Sequence, residues 1–254
     1  TVLEAYVRNR LKQKGILLMT HIVLGYPSFD ACFNIVKAMV KSGVDLMELQ
    51  IPFSEPIADG PVILHANQKS LAGGTRVEQC LTFAENVACD FDIPFLAMSY
   101  YNILFQYGVD RFASRMASIG LKGAIVPDLP PEEGEEYQNA MLSSDLAPIY
   151  IFSPTTPDSR MKTIDRHAKG FMYCVARKGV TGENTWFSSE LQSYLERCRA
   201  NTQLPLAVGF GVKDRTDVDF LRDKADIAVI GSETIRIIDE RGIGAVADFI
   251  RSLR

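Results

Sequence analysis

Eight times along the chain a short apolar run is followed by a segment of helical periodicity, and that alternation leaves few folds open. The apolar runs lie at residues 16–24, 46–51, 94–98, 123–126, 148–152, 170–175, 204–208 and 227–230. Turn signals such as Gly25-Tyr26-Pro27 and Pro130-Pro131 separate them from the helical segments. Helices are expected over 30–41, as a pair across 63–86, and over 109–119, 133–142, 158–168, 190–199, 216–224 and 244–253. In the first of these Ala31, Ile35, Val36, Met39 and Val40 share one face. Runs such as Ile227-Ala228-Val229-Ile230 show no polar alternation, as parallel strands covered on both faces require. A doubly wound open sheet shares the alternation, but it usually needs fewer strands and often carries its glycine cluster after the first. Here Gly209-Phe210-Gly211 and Gly231-Ser232 come late. The expected fold is therefore a (β/α)8 barrel of the TIM type, one domain over residues 1–254.

Charge and cysteine content narrow the function classes. The net charge is −4, and the 27 Lys and Arg are scattered rather than gathered into a run or tail, which argues against a nucleic-acid surface. A small anion remains a possible substrate, because backbone N–H groups can hold a phosphate whatever the net charge. Cys32, Cys80, Cys89, Cys174 and Cys198 are odd in number and none stands at metal-ligand spacing, so a reduced, cytoplasmic protein is expected. No apolar stretch approaches the ~20 residues that cross a bilayer, no secretory h-region stands at the start, and Thr1 in place of a methionine reads as a trimmed beginning.

In a barrel of this kind the chemistry sits at the carboxyl ends of the strands. The stretch Met47–Pro61 is the most informative there. Glu48 interrupts an apolar strand, and its neighbours Leu49 and Ile51 take the opposite phase, which turns Glu48 toward the barrel mouth. Asp59 lies on the following loop between Pro56 and Pro61. Two carboxylates in different environments can take different protonation states and roles. The plainer alternatives are a Glu48 paired with a buried base and an Asp59 that caps a turn or helix. Gly182, Gly211 and the pair Gly231-Ser232 follow successive late strands, where close backbone approach and helix-start N–H groups favour an anion. Each could also simply make a tight turn.

These residues resemble the tryptophan synthase α family, and the resemblance runs over almost the whole chain. It is carried by Glu48–Pro61 (ELQIPFSEPIADGP), Leu24–Pro27, Tyr100–Asn102, Ile125–Glu133, Pro154–Pro157, Arg177–Gly182, Gly209–Val212 and Ile230–Ser232, in matching order and spacing. The resemblance implies retro-aldol cleavage of indole-3-glycerol phosphate to indole and glyceraldehyde 3-phosphate. It implies Glu48 as the acid–base that protonates the ring carbon and assists the hydroxyl. Asp59 is implied as the carboxylate that stabilises charge at the ring nitrogen. Tyr173 is implied beside Glu48, with Met98, Ile125, Phe210 and Val229 as indole walls. Phe210, Gly182, Gly211, Gly231 and Ser232 fall at phosphate-binding positions. No metal and no cofactor are implied in this chain. The implied partner is a β subunit that carries pyridoxal phosphate in an α2β2 assembly. Its contact surface is expected over 53–59 and 102–106, with closure of 177–189 over the phosphate.

Several positions depart from the family pattern. Gln50 stands for a common glycine, Glu55 for aspartate, Val23 for threonine, and His21 for an apolar or aromatic residue. His21 could line the indole pocket, but it reads most simply as a packed core histidine. Glu233, directly after Gly231-Ser232, would repel a phosphate dianion unless turned away. These departures leave a non-catalytic activator of the β subunit as one alternative. Another phosphate-binding barrel is disfavoured, because His65 and His167 lie in helical segments and no strand core carries a lysine.

Overall fold

The computed structural model describes residues 1–176, 186–209 and 211–254, without the side chains of 186–188. Nine parallel strand segments form one sheet: β1 (Leu17–Val23), β2 (Leu46–Gln50), β3 (Phe95–Met98), β4 (Gly123–Ile125), β5 (Ala147–Ile149), β6 (Ile151–Phe152), β7 (Met172–Val175), β8 (Leu206–Gly209) and β9 (Ile227–Ile230). Their order is β5-β4-β3-β2-β1-β9-β8-β7-β6. The two ends of that order are consecutive in sequence, joined at Tyr150. The Tyr173 N–H donates to the Tyr150 carbonyl at 3.0 Å, so the ring closes through this residue. β5 and β6 are thus the expected fifth strand in two pieces, the first paired with β4 and the second with β7. Pro148, at the centre of the first piece, has no N–H to give to the ladder.

Each strand presents alternate residues to two apolar layers. Leu17, Met19, Leu46, Leu96, Met98, Ile125, Phe171, Ala207, Ile227 and Val229 fill the barrel interior. Leu18, Ile22, Met47, Leu49, Phe95, Ala97, Cys174, Ala228 and Ile230 pack outward against the helices. The helix Val2–Leu11 inserts Leu3 and Val7 into the interior cluster, where full burial of such side chains contributes about 1.5–3 kcal/mol each. Tyr6 of the same helix donates to the carbonyl of Asp45, the residue before β2, so this helix covers the amino-terminal end of the barrel. The opposite end is left for the loops.

Besides Val2–Leu11, two further helices enter that the periodicity does not separate. Tyr101–Tyr107 follows β3, with its first N–H bonded to Asp128 Oδ1 at 2.8 Å. Ser232–Arg241 follows β9 directly, beginning at Gly231. The five cysteines are all free thiols. Among the described residues no helix is long and apolar enough to cross a membrane.

Candidate active site

A cavity of about 640 Å³ opens at the carboxyl ends of the strands. Glu48, Asp59, Tyr173, Met98, Ile125, Val229, Gly211, Gly231 and Ser232, all singled out from the sequence, line it together. Gly182, Phe210 and residues 177–185 lie outside the described residues, so their expected parts in the site have no structural counterpart here.

The acidic wall is built by β1, β2 and the loop after β2. Leu46, Glu48 and Gln50 share the inward phase of β2, and His21 is the register partner of Glu48 on β1. Glu48 is 2% exposed. Its Oε2 lies 2.9 Å from His21 Nδ1, while Oε1 has no hydrogen-bond partner among the described residues. His21 Nε2 lies 2.8 Å from Gln50 Oε1, and Gln50 Nε2 donates to Asp59 Oδ2 at 2.6 Å. The Tyr100 hydroxyl donates to the same Asp59 oxygen at 3.2 Å and accepts the Ala58 N–H at 3.1 Å. Phe53 stacks on the Tyr100 ring with centroids 5.1 Å apart, and its N–H is held by Asn67 Oδ1, which anchors the start of the loop. Gly60 and Pro61 then open the helix Pro61–Ala72, proline sitting where a helix has no need of its N–H.

Burial and charge act differently on these groups. Burial alone would depress the His21 pKa, but the hydrogen bond and charge of Glu48, with Asp59 and Gln50 behind them, carry it above the ordinary histidine value. Burial raises the Asp59 carboxyl, and the charge of His21 with the hydrogen bonds from Gln50 and Tyr100 only partly opposes this. The Tyr173 phenol is pushed well up, first by burial and then by the Glu48 charge beside it. Gly209 makes room for this ring: a Cβ there would stand 3.1 Å from the phenolic oxygen and 3.2 Å from a ring carbon.

The opposite wall is basic and rich in backbone donors. Gly211 adopts φ +84°, a conformation that favours glycine, and Gly231 and Ser232 begin a helix. Lys213 and Arg236 line the cavity beside them. Glu233 does not face the cavity; it accepts from Arg236 Nη1 at 3.0 Å, so its charge is matched one helical turn away. Met98, Ile125, Ile151 and Val229 make the apolar surface between the two walls.

The sequence pattern passes over two of these residues, Lys213 and Arg236, and leaves a third, His21, between two readings. Of the core and pocket readings of His21 the structure bears out the second: it has the inward phase of Leu17 and Met19 and lines the cavity. Lys213 and Arg236 stand two residues after Gly211 and four after Ser232, so proximity to the glycine clusters was their available signal. Among the described residues no group of three or more His, Cys, Asp or Glu could hold a metal ion.

A closed (β/α)8 barrel with carboxylates on one wall of its mouth and helix-start amides with cations on the other belongs to the barrel enzymes that act on small anionic substrates. The comparisons with known proteins narrow this class. Residues 7–251 match the family model described as tryptophan synthase alpha chain. The tryptophan synthase alpha chain of Syntrophotalea carbinolica is 63% identical over 253 residues, covering 100% of both chains. That of Desulforapulum autotrophicum is 62% identical over 252 residues, covering 99% of this chain and 100% of its own. Among solved structures, tryptophan synthase subunit alpha from Legionella pneumophila superposes with a TM-score of 0.90 at 30% identity, covering 99% of this chain and 96% of that one. The chain belongs to the tryptophan synthase alpha chain family, a family of carbon–carbon lyases in tryptophan biosynthesis that cleave indole-3-glycerol phosphate.

Proposed function

We propose that this cavity performs the retro-aldol cleavage of indole-3-glycerol phosphate, with Glu48 and Asp59 in distinct roles. The reading rests on one observation above all: two carboxylates with different partners face a single apolar-walled cavity whose far side offers Gly211, Gly231, Ser232 and two cations. The substrate is itself bipolar in this way, an apolar ring joined to a phosphate. Indole is a poor leaving carbanion until the ring carbon bearing the glycerol chain is protonated. Glu48 delivers that proton. Asp59 faces the ring nitrogen and stabilises the positive charge that develops there. Glu48 then receives the hydroxyl proton as the carbon–carbon bond breaks and the aldehyde forms. The phosphate sits on the amides of Gly211, Gly231 and Ser232, with Lys213 and Arg236 near. Tyr173, Met98, Ile125 and Val229 hold the ring.

The partner in this reading is a tryptophan synthase β subunit carrying pyridoxal phosphate, in an α2β2 assembly in the cytoplasm. Support comes from the surface expected to contact it. Ile57 is 78% exposed and Phe105 62% exposed, two large apolar side chains on segments 53–59 and 102–106. Tyr100 joins those segments to the site, because it bonds Asp59 and immediately precedes the helix that carries Phe105. The deciding experiment is indole release from indole-3-glycerol phosphate by the isolated chain, titrated with its β subunit. We expect low activity alone and a rise of at least about tenfold with partner, some 1.4 kcal/mol of barrier. A chain with no lyase activity in either state would refute the function. Full activity without partner would refute the coupling.

A further inference from the structure

Glu48, His21, Gln50 and Asp59 form one hydrogen-bonded chain, and the direction of that chain follows from its far end. Asp59 Oδ2 accepts from both Gln50 Nε2 and the Tyr100 hydroxyl. An amide that turns its nitrogen to Asp59 must turn its oxygen to His21, where Oε1 lies 2.8 Å from Nε2. A carbonyl oxygen only accepts, so His21 Nε2 carries hydrogen. The remaining contact, Nδ1 to Glu48 Oε2 at 2.9 Å, then has two chemical solutions. Either Nδ1 is protonated beside a carboxylate, or Nδ1 is bare beside a carboxylic acid. Both contain one proton. With none, a lone pair would face a carboxylate at hydrogen-bond distance inside a buried site.

We propose that Glu48 and His21 hold a single proton in common, that the Gln50 amide keeps it on their shared contact, and that this is the proton delivered to the ring carbon. The proposal rests on the reading of Glu48 as the acid–base group of the lyase reaction, and it makes His21 and Gln50 positioning residues acting through Glu48. The balance of the step is closed. The resting pair is neutral overall. A new C–H bond to the ring carbon leaves the pair at −1 and the ring at +1, next to Asp59. The carbon–carbon bond then breaks, its electron pair enters the ring, and the hydroxyl proton returns to the pair as the carbonyl forms. No oxidant, reductant or outside proton is consumed.

The groups around His21 favour this state. Glu48 and Gln50 face it from β2, Asp59 from the loop after β2, and the Tyr173 phenol bounds the same cavity from β7. The inward residues of β3 and β9, Leu96, Met98, Ile227 and Val229, are apolar. The neighbouring carboxylates outweigh burial and raise the histidine. A proton shared with such a ring stays available to higher pH than one held by a carboxyl without it.

The test is 15N NMR titration of the histidine rings, tractable because the chain has three. The expected result is a His21 ring protonated at Nε2 throughout and titrating above the ordinary value of ~6.5. Glu48→Gln should lower that titration, since burial is then opposed only by the Asp59 charge and the Gln50 amide. A neutral ring protonated at Nδ1, or a titration unmoved by Glu48→Gln, would overturn the proposal. A second arm uses the pair His21→Phe with Gln50→Leu, which removes the ring and the amide oxygen facing it together, and so frees Glu48 Oε2 from His21 and leaves Asp59 Oδ2 with Tyr100. The alkaline limb of its kcat profile should move down by at least about one pH unit, a tenfold loss at fixed pH on that limb. An unmoved limb contradicts the shared proton. The NMR arm needs no turnover, so a failure of the shared proton is distinguishable from a failure of the lyase assignment.

Discussion

Asp45, just before β2, and Glu48, at the middle of that strand, stand three residues apart, both buried, and they live in opposite electrostatic worlds. Asp45 is fully buried yet saturated: it accepts from Arg10 at 3.1 Å, Lys14 at 2.6 Å, Arg254 at 2.6 Å and the Leu18 N–H at 3.0 Å. Burial works against its ionised form, but the Lys14 hydrogen bond, the Leu18 amide and the nearby cations overcome it, and its pKa falls below the usual aspartate value. Among the described residues Glu48 has one hydrogen-bond partner at 2.9 Å, which can itself gain or lose a proton, and an oxygen with none at that range, the Tyr173 phenol lying beside it. A carboxylate with every lone pair spent fastens the base of the barrel, whereas one left partly unsatisfied is ready to exchange a proton. The difference separates stability from chemistry along a single strand, as barrels of this kind do between their two ends.

The sharpest way to break that contrast is Glu48→Gln. The amide keeps the shape and still contacts His21, but it delivers no proton. Cleavage should fall by on the order of 10²–10⁴-fold while the melting temperature moves little, measured as indole release and by thermal unfolding. Near-normal turnover in the folded variant would place the acid–base group elsewhere.

Asp45→Asn should do the reverse. Removing one member of a buried ion cluster costs about 3–5 kcal/mol, and the partial exposure of the partners, 24–38%, sets this loss toward the lower end. At this chain length about 3 kcal/mol corresponds to roughly 6–12 °C in melting temperature. Measured well below the melting point, kcat should stay within about twofold of wild type, a margin that is small against the factors expected of acid–base groups. A folded but inactive Asp45→Asn chain would show that the two ends are coupled.

The contrast also explains what sequence could and could not disclose. The inward phase of Glu48 follows from the alternation of β2, a local pattern, and the barrel follows from eight repetitions of such patterns. His21 and Gln50 were visible as departures, but their joint meaning depends on the β1–β2 register, which sets residue 21 against residue 48. Asp45 drew no notice, because its partners lie 27, 31, 35 and 209 residues away. The division at Tyr150 escaped for a similar reason: it marks where the ring closes, a property of the whole sheet. The helix Ser232–Arg241 was hidden by the glycine cluster that starts it.

A ligand should stabilise through the open end alone. If glycerol 3-phosphate binds the corner formed by Gly211, Gly231 and Ser232, saturation at 100 times Kd raises stability by about 2.7 kcal/mol. The increment should be the same in wild type and Asp45→Asn, and smaller in Arg236→Gln, which removes a cation from that wall. Thermal shift in the three proteins measures it. No shift in wild type would argue against the phosphate corner.

The smallest effect sets the two ends in opposite directions along the pH axis. Asp45 has a depressed folded pKa, so its contribution is present above the unfolded value of ~3.9 and is lost as pH falls through the folded value. Asp59 has a raised folded pKa, chiefly from burial, so its contribution is present below ~3.9 and is lost as pH rises through the folded value. Asp59→Asn removes the second cost with little rearrangement. Gln50 and Tyr100 both donate to Oδ2, and an asparagine oxygen in that place accepts from both. The variant should therefore melt level with wild type near pH 3.5 and at or above it by pH 6, by about 1 kcal/mol or less, although its lyase activity is lost. Working below ~6.5 keeps the His21 titration from adding a second slope of the same sign. Asp45→Asn, scanned in parallel, should lie below wild type at pH 6 and converge on it as the pH falls. If Asp59→Asn instead melts well below wild type at pH 6, the Asp59 charge is compensated as fully as that of Asp45. The open end of the barrel would then carry no stored electrostatic cost for catalysis to draw on.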